Sequence, residues 1–156
     1  MENKEGLIWY NGDFIDWKDA KLHVLTHGLH YASSVFEGER SYSGRIFKLH
    51  EHTERLFFSA SELDFDIPYS IEEIKDACYS TLEKNNLVDA YIRPIAWRGA
   101  ETVGVSAQDT KIHCAIAVWE WPSYFSPEDK LKGIRLTLSS WRRPSPDTIP
   151  CKAKAA

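Results

Sequence analysis

Between Thr26 and Arg40 the chain sets His27 and His30, the phenol of Tyr31, the ring of Phe36 and the guanidinium of Arg40 around Gly38. A glycine inside a strand-like stretch lets another group approach the backbone closely. An arginine two residues on can offer a planar fork to an anion or stack on a ring. A second group is Tyr91-Ile92-Arg93-Pro94. In a strand the period of two puts Tyr91 and Arg93 on one face, where phenol and guanidinium can both donate to one carboxylate. The third is Lys154, close behind Thr148-Ile149-Pro150. A lysine amine kept neutral can form a Schiff base with a carbonyl compound. Each of these residues also has a plain reading: Phe36, Trp121 and Tyr124 as core or interface aromatics, Arg93 in a structural ion pair, Arg55 paired with Glu51, Lys152 and Lys154 as surface lysines. His27, His30, His50 and His52 have no third ligand at a recognised metal spacing, so local hydrogen bonding is the expectation for them.

Elements able to hold these groups can be read along the chain. Leu7–Tyr10, Asn11-Gly12 and Asp13–Trp17 form a hairpin pattern, since an Asn-Gly turn tolerates positive φ at both central residues. A strand is expected near Ser34–Tyr42 and another from Arg45 after the turn at Ser43-Gly44. Leu56, Ala60 and Leu63 form a helical stripe between about His50 and Leu63. Ser70 and Glu73 form a capping box ahead of a helix that buries Ile71, Ile74, Cys78 and Leu82. Further strands are expected at Ala90–Trp97, Ile112–Trp119 and Ile134–Leu138, with a loop over 99–109 long enough to be functional. The expected class is α+β, a largely antiparallel sheet with two helices. Residues 1–124 read as a small domain, 125–133 as a linker, and 134–156 as the first strands of a second, larger domain.

With 156 residues, 43% hydrophobic and 27% charged, the chain has the bulk of a soluble globular protein. The net charge of −4 and the absence of a Lys/Arg block give no sign of a nucleic-acid partner. No apolar run reaches membrane-spanning length. The polar N-terminus and three widely spaced cysteines lead to the expectation of a cytoplasmic protein with reduced thiols.

Taken together, Thr26–Arg40, Tyr91-Ile92-Arg93 and Lys154 resemble, in order and spacing over nearly the whole chain, the branched-chain aminotransferases. These are fold-type-IV enzymes that use pyridoxal 5'-phosphate (PLP). The resemblance implies that Lys154 holds PLP covalently and moves the proton at the substrate Cα. It implies that Arg55 grips the phosphate, that Tyr91 and Arg93 meet the substrate, and that Phe36, Trp121 and Tyr124 wall the side-chain pocket beside Gly38 and Arg40. Tyr31 and Val105 would reach the pocket of a neighbouring subunit, which implies a homo-oligomer built on a dimer. The implied reaction moves the amino group of Leu, Ile or Val to 2-oxoglutarate. Alternatives are a D-amino-acid aminotransferase or an aminodeoxychorismate lyase of the same fold, against which the Tyr91-Ile92-Arg93 face argues. A non-catalytic folding or dimerising fragment is a further alternative. The chain departs from the family at Lys152, which in a strand would share a face with Lys154, at Ala156, at Glu39 beside Gly38, and in the loop from Arg98 to Val105. In the family the large domain supplies the glutamate at the pyridine nitrogen and most phosphate contacts.

Overall fold

A computed structural model describes residues 4–122 and 125–156. Among the described residues seven strands form one antiparallel sheet: β1 (Leu7–Tyr10), β2 (Asp13–Asp16), β3 (Ser34–Phe36), β4 (Glu39–Tyr42), β5 (Arg45–Ile46), β6 (Ala90–Arg98) and β7 (Ile112–Trp119). The order is β2-β1-β7-β6-β4-β5, with β3 also on β6. Two long helices are present, α2 (Leu49–Glu62) and α3 (Ile71–Lys84), and two short ones are added, α1 (His27–Tyr31) and α4 (Pro127–Lys132). Helix α2 buries Leu56 and Ala60, while Leu63, expected on the same stripe, caps its end half-buried. Helix α3 buries Ile74, Cys78 and Leu82. The β1–β2 turn uses positive φ at Asn11 and Gly12, as an Asn-Gly hairpin requires. The Ser70/Glu73 capping box is formed in both directions. Ile71 is half-buried rather than buried, because at the first helical position it lies at the rim of the packed face.

One face of the sheet meets α2 and α3 in the main core, where Val35, Leu56, Ala60, Ile74, Cys78, Ala90, Ile92 and Ala96 pack together. The other face carries the odd-numbered residues of β6, with Trp97 packed on Ile8 and Ala115. The alternation along β6 therefore separates structural side chains (Ala90, Ile92, Pro94, Ala96) from Tyr91 and Arg93.

The strand expected over 34–42 is split. Both pieces keep one register on β6, with Phe36 opposite Ile95 and Glu39 opposite Ile92. The gap faces Pro94, which has no N–H to return. Only the Glu37 N–H bond to the Pro94 carbonyl, 2.9 Å, remains. Residues 134–138, expected as a strand, form none: Leu136 is 86% and Leu138 99% exposed, with no ladder partner among the described residues. Part of the expected linker is α4, capped by Ser126, whose hydroxyl accepts the Asp129 N–H at 3.1 Å, with Pro127 in the first turn.

Candidate active site

The segment around Lys154 is fastened to the sheet and to α2 by its backbone. The Phe36 N–H donates to the Lys154 carbonyl at 3.1 Å, and the Ala156 N–H to the Ser34 carbonyl at 3.0 Å. The Ser34 hydroxyl donates to the Ala156 carbonyl at 2.5 Å. From the helix side, the Lys154 N–H donates to the hydroxyl of the buried Ser59 at 3.0 Å. Val35 and Ala155 form a single antiparallel bridge. Lys152 does not share a face with Lys154, contrary to expectation. It sits in a turn and is exposed, whereas Lys154 is half-buried, because the segment becomes sheet-like only where it meets β3.

Phe36 is the meeting point of the cluster. The Lys154 ammonium lies 5.3 Å and the Arg93 guanidinium 4.7 Å from its ring centroid, both within cation–π range. Arg93 donates to the Tyr91 hydroxyl at 2.8 Å. Tyr91 in turn packs on Trp119 (4.9 Å) and Trp121 (5.2 Å). Gly38 supplies room: a Cβ there would overlap Tyr91 Oη. Arg40 lies opposite Tyr91 in the β4–β6 ladder. The Nε atoms of Arg40 and Arg93 are buried and have no hydrogen-bond partner among the described residues. Such orphaned charge-bearing donors suit an anion, since a buried guanidinium donor left unpaired is costly.

Arg55 does not pair with Glu51; Lys48 takes that carboxylate. Arg55 grips the wholly buried Glu37, Nε to Oε1 at 2.5 Å and Nη2 to Oε2 at 2.7 Å, and His52 Nδ1 donates to the same carboxylate at 2.8 Å. Burial pushes the Glu37 carboxyl up, but the hydrogen bonds from Arg55 and His52 outweigh it and hold the group below its ordinary value. The Arg55 side chain stays half-exposed, so part of its fork remains open to a second anion. Arg55 stands one helical turn before Ser59, on the same side of α2. The phosphate-gripping candidate and the residue that holds Lys154 are thus on one rigid element. The Lys154 amine and the Arg93 guanidinium at the Phe36 ring, with Arg55 one turn along α2 from the Ser59 that holds Lys154, are the kinds of groups that fit a planar, anionic, carbonyl-bearing cofactor.

Tyr31 and Val105 gather elsewhere, around His27. The His27 ring lies 4.5 Å from that of Tyr31, and its Nε2 donates to the Val105 carbonyl at 3.4 Å. Tyr31 is 47% and Val105 80% exposed. Tyr124 lies outside the described residues. His30 bonds the Val24 carbonyl and His27 the Ser33 hydroxyl. Reading the sequence missed Glu37, Ser34, Ser59 and Trp119. The first three act through contacts across 18, 122 and 95 residues, which no local spacing reveals. Trp119 could have been found from its period-two position on β7 facing Tyr91.

The family model for class IV amino-transferases matches residues 34–156. The branched-chain-amino-acid aminotransferase of Pseudomonas aeruginosa is 42% identical over 99% of this chain and 52% of its own length. Among solved structures, the T.th. branched-chain amino acid aminotransferase with pyridoxamine 5'-phosphate superposes with a TM-score of 0.91 at 42% identity, over 97% of this chain and 52% of that one. Complexes of the same enzyme with N-(5'-phosphopyridoxyl)-L-glutamate and with 4-methylvaleric acid give 0.85 and 0.86, at 40% and 41% identity over 97% of this chain and 50% of theirs. The chain thus spans about half the length of the relatives it matches. On the family match and the identity of its relatives, the chain belongs to the class IV amino-transferases.

Proposed function

We propose that this chain is the N-terminal portion of a PLP-dependent branched-chain amino acid aminotransferase. It moves the amino group of Leu, Ile or Val to 2-oxoglutarate. The carrying observation is the cluster at Phe36, where the Lys154 amine and Arg93 meet one ring while Lys154 is tethered by its backbone to β3 and to Ser59. PLP, when bound, supplies an electron sink for charge developing at the substrate Cα. Lys154 would hold it, and Lys154 Nζ then takes and returns the Cα proton. Arg55, fixed by Glu37, grips the phosphate. Arg93 and the Tyr91 hydroxyl donate to a carboxylate of glutamate or 2-oxoglutarate. Phe36, Trp121 and Tyr124 exclude water from an apolar side chain, and Gly38 leaves the room in which Tyr91 stands. An aromatic wall with arginines at its edge suits both a branched side chain and a second carboxylate. The T.th. enzyme's complexes with a glutamate conjugate and with 4-methylvaleric acid support that dual use.

The domain division belongs to the same proposal. Residues 1–124 form the small domain, 125–133 link it onward, and 134–156 open a large domain. Support comes from Leu136, Leu138 and Trp141, each more than 85% exposed and available to pack on further structure. A homodimer is supported by the apolar surface of Val24, Leu29, Tyr31, Val103 and Val105, which would bring Tyr31 and Val105 to the partner's pocket. Among the described residues no helix is long and apolar enough to cross a membrane. All three cysteines are free, which supports a cytoplasmic setting. The test is transamination by the full-length parent protein. Leucine with 2-oxoglutarate should give glutamate, and Arg93→Ala should raise KM for 2-oxoglutarate more than for leucine. No turnover of L-leucine, with turnover of a D-amino acid or of aminodeoxychorismate, would replace this reading by one of its fold relatives.

A further inference from the structure

Glu39 stands out as a buried carboxyl with no hydrogen-bond partner among the described residues. Along β3 and β4 the side chains alternate. Val35, Glu37, Glu39 and Ser41 are at most 1% exposed and turn toward the helices, while Phe36, Gly38 and Arg40 turn toward the site. Glu37 is saturated by Arg55 and His52. Glu39, two residues on and on the same face, has both carboxyl oxygens buried without a hydrogen-bond partner among the described residues. The charged and titratable groups on it are Glu37 from its own strand pair and Cys78 from α3, with His52 and Arg55 of α2 beyond Glu37. A carboxylate cannot stay ionised, unpaired and dry, and two carboxyls side by side share one proton between them. The division of labour follows: Glu37 carries the charge and Glu39 carries the proton. Burial, and then the charge of Glu37, push the Glu39 carboxyl up to about 8.

We propose that Glu39 is a positioning residue for the anion anchor, a neutral acid behind Glu37 whose deprotonation sets a second negative charge there and loosens the hold of Arg55 on a phosphate. The proposal rests on the reading of Arg55 as the phosphate grip. In the neutral state Glu37 alone orients the guanidinium and leaves its outer edge for the ligand. With Glu39 ionised, the two carboxylates repel each other, and the field at Arg55 turns against an incoming anion.

The full-length parent protein and its Glu39→Gln variant separate this from a merely structural carboxyl. PLP affinity is measured by absorbance titration from pH 6 to 9.5, with pyridoxal, which lacks the phosphate, as the second probe. The wild type should lose at least threefold in PLP affinity between pH 7 and 9 relative to Glu39→Gln, and the two should agree below pH 7. With pyridoxal the two profiles should coincide. Glu39→Ile, also uncharged, provides the same comparison should the glutamine variant fold poorly. Superimposable PLP profiles, or a difference that persists with pyridoxal, would overturn the role of Glu39 while leaving the aminotransferase reading intact. Failure of the wild type to bind PLP at any pH would overturn both.

Discussion

Gly38→Ala tests the geometry of the site with one methyl group. Gly38 does not use a positive φ, so alanine meets no backbone penalty there, and whatever the substitution does must come from space. The new Cβ would overlap Tyr91 Oη and lie 3.0 Å from Cζ. The phenol must retreat until about 3.5 Å separates the atoms. That movement pulls Oη from Arg93, 2.8 Å away, and disturbs the packing on Trp119 and Trp121. Overpacking of this kind costs about 1–3 kcal/mol, and a hydrogen bond from a charged donor is worth about 1.5–3 kcal/mol. The two overlap, so the expected destabilisation is about 2–4 kcal/mol, or a fall in Tm of ~5–15 °C for a chain of this size. Urea unfolding followed by tryptophan fluorescence reads it directly, since two of the disturbed partners are tryptophans. The control is Tyr91→Phe. Without the hydroxyl the nearest ring atom is Cζ at 3.0 Å, a contact a small ring shift relieves, so Gly38→Ala should cost less than half as much in that background. Equal costs in both backgrounds, or a wild-type cost below about 0.5 kcal/mol, the usual scatter for independent sites, would refute the close approach of Gly38 and Tyr91.

Stability should fall with rising pH through one identifiable group. The Glu39 carboxyl is raised from 4.5 to about 8 in the folded chain, so between those values the folded state holds a proton the unfolded chain has released. The stability tied to it is fully present below pH 4.5, declines by about 1.4 kcal/mol per pH unit, and stops declining above pH 8. Glu39→Gln should remove that slope, leaving the variant more stable than wild type in urea melts at pH 8; parallel curves for the two proteins would contradict it. Ser59→Ala removes the acceptor of the Lys154 N–H, a loss of about 1 kcal/mol. It should speed exchange of that amide about fivefold while amides in the middle of β6 keep their rates, and an unchanged Lys154 amide would show that the tether does not hold.

Elements set by local chemistry were legible in the sequence. The Asn11-Gly12 hairpin, the Ser70/Glu73 box and the alternation of Ala90–Trp97 each depend on neighbours a few residues away, and each has the expected form. The division of 34–42 into two strands was not legible, because its cause is Pro94 on the partner strand. Residues 134–138 have a strand composition, yet a strand exists only against an edge that pairs with it. The helix at Pro127 has a local signal in Ser126-Pro127-Glu128-Asp129, a capped start inside a stretch whose polar composition otherwise reads as a linker. At the site, the period of two put Tyr91 and Arg93 on one face, the family resemblance added Phe36 and Lys154, and the structure brings these four together. Glu37 was invisible as the holder of Arg55, since an ion pair across 18 residues between strand and helix leaves no periodic trace.

In the proposed function Lys154, and not its neighbour Lys152, is the amine that holds the cofactor. Reducing the full-length parent protein with borohydride in the presence of PLP, then mapping the modified peptide by mass spectrometry, tests it directly. The half-buried Lys154, fastened by Ser59 and Phe36, should carry the phosphopyridoxyl group, with the exposed Lys152 unmodified. A label on Lys152, or none on either lysine, would remove Lys154 from that role.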